Sequence, residues 1–125
     1  MVVGLLDTSV VIDLLRQHSP ADRWLAQQGQ LGITRIVWLE VIEGAQSRYK
    51  QEEALKLLKR FDLVELTTSD LAWATEQLIR LRLNYEIDSF DCIIASASYR
   101  LQFPLYTTNL KHFTPLLGKL AQAPY

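Results

Sequence analysis

The chain is poor in cysteine, histidine and net charge, and each shortage removes a class of function. Cys92 stands alone among 125 residues, so no intrachain disulfide forms and a cysteine-stapled secreted scaffold is excluded. A cytoplasmic setting is the expectation. His18 and His112 lie far apart and have no Cys or His neighbour at zinc-ligand spacing. No histidine stands in a position to activate Ser9 in a Ser-His-Asp triad. The five glycines are scattered, which leaves no phosphate-cradling loop. No apolar run reaches the roughly 18 residues of a membrane span, because Asp7 and Asp13 interrupt the N-terminal one. That N-terminal stretch also lacks the basic lead and small-residue cleavage site of a signal peptide. Thirteen basic and fourteen acidic residues give a net charge of -1. No whole-molecule field attracts nucleic acid, so such contact needs a local basic patch.

What remains is a single folded domain. Hydrophobic residues make up 49% of the chain and charged ones 22%, a composition that excludes disorder. VVGLL (2–6) is too short for a helix and rich in β-branched residues, as a buried parallel strand is. LGIT (31–34), LVELT (63–67) and PLYTT (104–108) are the other predicted strands. Between them lie helical patterns: VVIDLLR after the cap-type Asp7-Thr8-Ser9, a segment from Ser19-Pro20 to Gly29, RIVWLEVIEGAQSRY (35–49), and about Gln51 to Arg60. Ser69 or Asp70 is expected to cap LAWATEQLIRLRL, which Asn84 ends, and Asp88 or Ser89 to open FDCIIASASYRL. A short helix follows near His112–Leu117. Strands alternating with helices predict an α/β layer fold with a mainly parallel sheet.

Three carboxylates stand where apolar segments end or turn: Asp7 after VVGLL, Glu40 inside IVWLEVIEGA, and Asp91 ahead of CIIASA. Asn109 follows the last strand. Each has an ordinary explanation. Asp7 is a plausible N-cap residue, Asp91 the third helical position of a capping box opened by Asp88, Asn109 a turn residue, and Glu40 an exposed helical acid. Together, however, they lie at strand ends or on apolar helices, and in parallel sheets ligands bind beyond the carboxyl ends of strands. Convergence on one acidic pocket, suited to a divalent cation, is the expectation. Trp24, Trp38 and Trp73 fall in helical apolar patterns and are read as core or interface residues.

As a set, LLDTSVVIDLLR, E-V-I-E-G-A (40–45), FDCIIASASY and LYTTNLKHF, with Pro124 near the end, resemble the PIN domain, and within it the VapC-type toxins of toxin–antitoxin pairs. The resemblance covers nearly the whole chain. It implies a three-layer α/β/α PIN-like sandwich with a four- or five-stranded, mainly parallel sheet, and a Mg²⁺-dependent endoribonuclease in which Mn²⁺ can substitute. Matched by position, Asp7, Glu40 and Asp91 are the core acids, with Asp7 and Asp91 preferred as direct metal ligands and Glu40 acting through water. Asn109 matches the last site position, and Ser9 with Thr107 or Thr108 match site hydroxyls. Products with 5′-phosphate and 3′-hydroxyl ends, an antitoxin partner and a homodimer are also implied. Two departures stand out: the amide at 109, which leaves three firm carboxylates rather than four, and His112 where many relatives carry an acid.

Arg16, Arg35 and Lys111, and less directly Arg23 and Arg48, are candidates to bind flanking RNA phosphates; solvated helix ends are the equal alternative for each. Three rival functions share parts of this pattern: a non-catalytic PIN-like metal- or RNA-binding module, an RNA-processing nuclease outside toxin–antitoxin systems, and a phosphoacceptor receiver domain. The receiver needs an Asp at the end of a central strand, whereas LVELT ends in Thr67.

Overall fold

The apolar run ahead of Asp7 becomes the middle strand of a five-stranded parallel sheet. The computed structural model describes residues 1–125, with β1 (Gly4–Leu6), β2 (Leu31–Thr34), β3 (Asp62–Val64), β4 (Leu105–Tyr106) and β5 (Ala121–Gln122). Their spatial order is β3-β2-β1-β4-β5. Leu5 pairs with Gly32 on one side and Leu105 on the other. Every residue of β1 and β2 is buried, as continuous apolar strands require when helices cover both faces.

Seven helices connect the strands: α1 (Thr8–Leu15), α2 (Ser19–Ala26), α3 (Arg35–Gly44), α4 (Arg48–Leu58), α5 (Thr68–Leu81), α6 (Ser89–Leu101) and α7 (Leu110–Leu117). Helices α1 to α4 pack on one another, and α6 packs on α5 and α7. Right-handed crossovers account for the two sets. The chain moves outward from β1 to β3, then returns past β1 to β4 and β5, so the helices of the first half and those of the second cover opposite faces. This is the expected α/β/α sandwich. Val10, Val11, Ile33, Val37, Leu105 and Phe113 are among the fully buried residues of its core. No helix is long and apolar enough to cross a membrane.

Three local readings change. The helix expected over 35–49 breaks after Gly44, and Ser47 starts α4 by accepting the Lys50 N–H at 3.1 Å. Thr67, not Ser69 or Asp70, caps α5; Asp70 is instead the third residue of that capping box. The strands predicted at 2–6, 63–67 and 104–108 shorten to two or three residues, and β5 adds a fifth. Trp24 is half-buried, edge-on to Tyr106 with ring centres 4.8 Å apart, and half-buried Trp73 stacks on Tyr99. Cys92 is fully buried, and burial, helped by the Asp91 and Asp88 charges, pushes its thiol up to about 11. It is a packing group, not a reactive one.

Candidate active site

The strand order reverses at β1, whose sequence neighbour β2 lies on one side and late-arriving β4 on the other. That switch opens a crevice beyond the carboxyl ends of β1 and β4. Asp7 stands there because it is the first residue after β1, and its N–H still donates to the Tyr106 carbonyl at 3.0 Å. It occupies the N-cap position of α1, yet its side chain makes no capping bond. Its Oδ2 instead accepts from Ser9 Oγ at 2.8 Å and Thr107 Oγ1 at 2.9 Å. Those hydroxyls in turn accept the N–H groups of Thr108 and Asn109. The carboxylate is 3% exposed and locked at the strand junction by both chain segments.

Glu40 reaches the same cavity from α3, with Oε1 accepting from Thr8 Oγ1 at 2.7 Å. Burial raises its pKa; the Thr8 bond opposes this, while the Asp7, Asp88 and Glu43 charges add to it. Asp91 arrives in the first turn of α6. Its Oδ2 accepts the Asp88 N–H at 3.2 Å and lies 3.3 Å from His112 Nδ1. Burial pushes its carboxyl up to about 6; the Asp88 N–H and His112 pull it down, and Asp88 and Asp7 push it further up. Asp91 is therefore both the capping-box acid and a member of the pocket. The cavity, of about 370 Å³, is lined by Asp7, Ser9, Glu40, Asp91, Thr108 and Asn109, with Thr8, Asp13 and Arg16 at its wall.

The donor set is all oxygen, which suits a hard divalent cation. No three acidic, His or Cys side chains converge tightly enough to cage one ion. A Mg²⁺-type ion does not need such a cage, because it binds through one or two carboxylates and keeps several waters. Two partly buried acids with raised pKa values, Glu40 in no ion pair and Asp91 facing only His112, fit that requirement.

The structure brings together Asp7, Ser9, Glu40, Asp91, Thr108, Asn109 and Arg16. It does not bring in Arg35, paired with Glu65 at 2.8 Å, or Lys111, 3.7 Å from Glu86. Thr107 lies behind the wall as a buried support for Asp7. Thr8 and Asp13 went unrecognised in the sequence. Thr8 sits inside the D-T-S cap pattern, and Asp13 is four residues from Ser9, hence on the same helical face. Asp13 accepts from the Tyr125 hydroxyl at 2.6 Å.

Comparison with known proteins agrees with this fold. The PIN domain family model matches residues 4–113. Ribonuclease VapC1 of Methanocaldococcus jannaschii is 31% identical over 114 residues, covering 90% of this chain and 79% of that protein. A toxin–antitoxin complex from Klebsiella pneumoniae contains a chain that superposes with a TM-score of 0.76 at 28% identity, with 98% of each chain covered. VapBC2 from Rickettsia felis, bound to a DNA fragment from its promoter, superposes with a TM-score of 0.72 at 22% identity, over 91% of this chain and 92% of that one. This last likeness is one of fold.

Proposed function

The chain belongs to the PIN domain family, and from that premise we propose that it is a divalent-metal-dependent endoribonuclease, the toxin of a toxin–antitoxin pair. The carrying observation is the acidic cavity at the β1/β4 switch, where Asp7, Glu40 and Asp91 share a wall with Ser9 and Asn109. Asp7 and Asp91 are the proposed metal ligands, and Mg²⁺ is the proposed ion, with Mn²⁺ able to replace it. Held by Asp7 and Asp91, such an ion would supply acidification of water and offset charge on the phosphodiester transition state.

The chain's own groups divide the remaining work. Ser9 and Thr107 hold the Asp7 carboxylate in one orientation through its Oδ2. Thr8 occupies Glu40 Oε1, which leaves Oε2 to orient the attacking water and take its proton. The raised pKa of Glu40 brings its basicity closer to neutral pH, as a general base requires. Arg16 at the cavity wall is placed to hold a neighbouring phosphate.

The toxin role is supported by the ribonuclease and toxin–antitoxin relatives. An antitoxin partner, a homodimer and a cytoplasmic location follow from that role. The test is cleavage of a tRNA and total-RNA panel by wild type and Asp7→Asn, with Mg²⁺ or EDTA. A discrete cut lost in both the variant and EDTA is expected. Equal behaviour of wild type and variant would turn the reading to a non-catalytic RNA-binding module.

A further inference from the structure

A second cavity, of about 740 Å³, runs between α1, the α3–α4 turn and α4, and meets the acidic one at Ile12 and Arg16, which line both. Its charge is opposite. Arg16, Lys50, Lys56 and Arg60 line it against the single acid Glu53. None of these four cations is in an ion pair or donates a side-chain hydrogen bond, whereas Arg35, Arg100 and Lys111 are all paired. On α4, Tyr49, Glu53 and Lys56 follow i, i+4, i+7 spacing, so they share one face, and Arg60 follows in the turn beyond the helix. Tyr49 is 67% exposed, and the cavity floor includes the apolar Leu14 and Val41.

We propose that this groove is a track for single-stranded RNA flanking the scissile bond, leading across Arg16 into the acidic cavity. The proposal rests on the ribonuclease reading. A strand of RNA presents regularly spaced phosphates and exposed base faces. Proteins that hold such a strand combine unpaired cations along a groove with an aromatic ring on which a base stacks. Both elements occur here in one groove, continuous with the acids. A duplex keeps its base faces stacked internally and has no use for the Tyr49 ring or the apolar floor. The arrangement also solves an electrostatic problem. An acidic pocket repels the polyanion it is meant to cut, and adjacent unpaired cations supply the local attraction that a net charge of -1 does not.

The test measures binding without cleavage. Fluorescence anisotropy in EDTA follows a labelled mixed-sequence RNA of about 16 nucleotides, within the span such grooves occupy, across a salt series. K50A/K56A/R60A is expected to lose roughly ten-fold or more in affinity, and its log–log salt slope should fall by about 2, at about 0.7 per phosphate contact on a single strand. Tyr49→Ala is expected to weaken binding several-fold and Tyr49→Phe to retain it. K50R/K56R/R60K, which keeps every charge, should bind as wild type does; a loss there as large as in the alanine variant overturns the track. Wild-type affinity and slope in K50A/K56A/R60A also overturn it, and point to an acidic protein partner on these cations. Wild type that binds RNA in this groove but cuts none with Mg²⁺ removes the nuclease reading and leaves the track standing.

Discussion

Asp91 serves two structures at once, and the cost falls on the folded state. Its carboxylate completes the α6 capping box with Asp88 and also faces the acidic cavity. Burial, with Asp88 and Asp7 adding to it, raises its pKa from an ordinary 3.8 to about 6. The folded state therefore holds this proton more tightly than the unfolded chain does. Stability falls as pH rises through that window, and the full cost, roughly 3 kcal/mol from a two-unit shift, applies above it. Asp91→Asn keeps an oxygen for the Asp88 N–H and removes the charge. In EDTA near neutral pH the variant should melt several degrees above wild type, with the gap closing below about pH 4 and RNA cleavage abolished throughout. A variant that melts lower would show that the buried charge is not what strains the site. The capping role of Asp91 was legible from D-S-F-D alone and its place in the pocket from the order of the acid-bearing segments, but the burial that raises its pKa is tertiary, and no local spacing reports it. Asp7 shows the converse. Its cap-type sequence points to a helix start, while its partner Thr107 lies 100 residues away, and only its place after an apolar strand betrayed it.

Helices were legible wherever periodicity and cap residues agreed, and misread where periodicity continued through a break. Apolar spacing runs on through Glu43-Gly44-Ala45-Gln46, yet the helix stops after exposed Gly44 and restarts at Ser47. Ser47→Ala removes the bond to the Lys50 N–H and should lower stability by about 1 kcal/mol, read by urea unfolding. Strand β4 was read from PLYTT although only Leu105–Tyr106 pair in the sheet, whereas edge strand β5 has two residues and no alternation to read, so that edge was invisible. At Gly32 strand β2 has no room for a side chain beside β3: a Cβ would come within 2.8 Å of Val64 Cγ2 and 3.3 Å of the Asp62 carbonyl. The α5–α6 contact is tied by Asp70, 2% exposed, whose Oδ1 accepts from Arg100 Nε at 2.9 Å. Burial alone would raise the Asp70 pKa, but the Arg100 bond and charge with the Thr67 N–H and hydroxyl outweigh it and leave it lowered. That stabilisation is present above the unfolded value of 3.8 and disappears as pH falls through the lower folded one. Arg100→Ala strands a buried carboxylate and should cost about 2 kcal/mol, below the range for fully buried pairs because Arg100 is partly solvated. The deficit against wild type should be full near pH 7 and shrink in acid; a deficit independent of pH would assign it to packing alone.

For the whole molecule, near-zero net charge concealed a partition. The acids gather at the β1/β4 switch while unpaired cations line the adjoining groove, and the two cancel in the composition. The order of the acid-bearing segments along the chain was enough to foresee the first cluster. The second needed the fold, because Arg16 and the α4 cations come from elements separated by more than thirty positions. Apolar surface is distributed just as unevenly. Ile79 is 76% exposed and Leu83, one turn on, is 94% exposed. Single exposed apolar residues are ordinary on monomers, but two large ones, on the last turn of α5 and in the turn just beyond it, make a surface that gains by being covered. A homodimer that buries this end of α5 is the expected arrangement. Light scattering of wild type should then give twice the 14.4 kDa chain mass. Ile79→Asp/Leu83→Asp should give the single chain mass and still unfold cooperatively, at a midpoint that no longer depends on protein concentration, since neither side chain belongs to the buried core. If the variant stays dimeric, some other face carries the contact; if wild type is already monomeric at micromolar concentration, the exposed pair awaits a different protein.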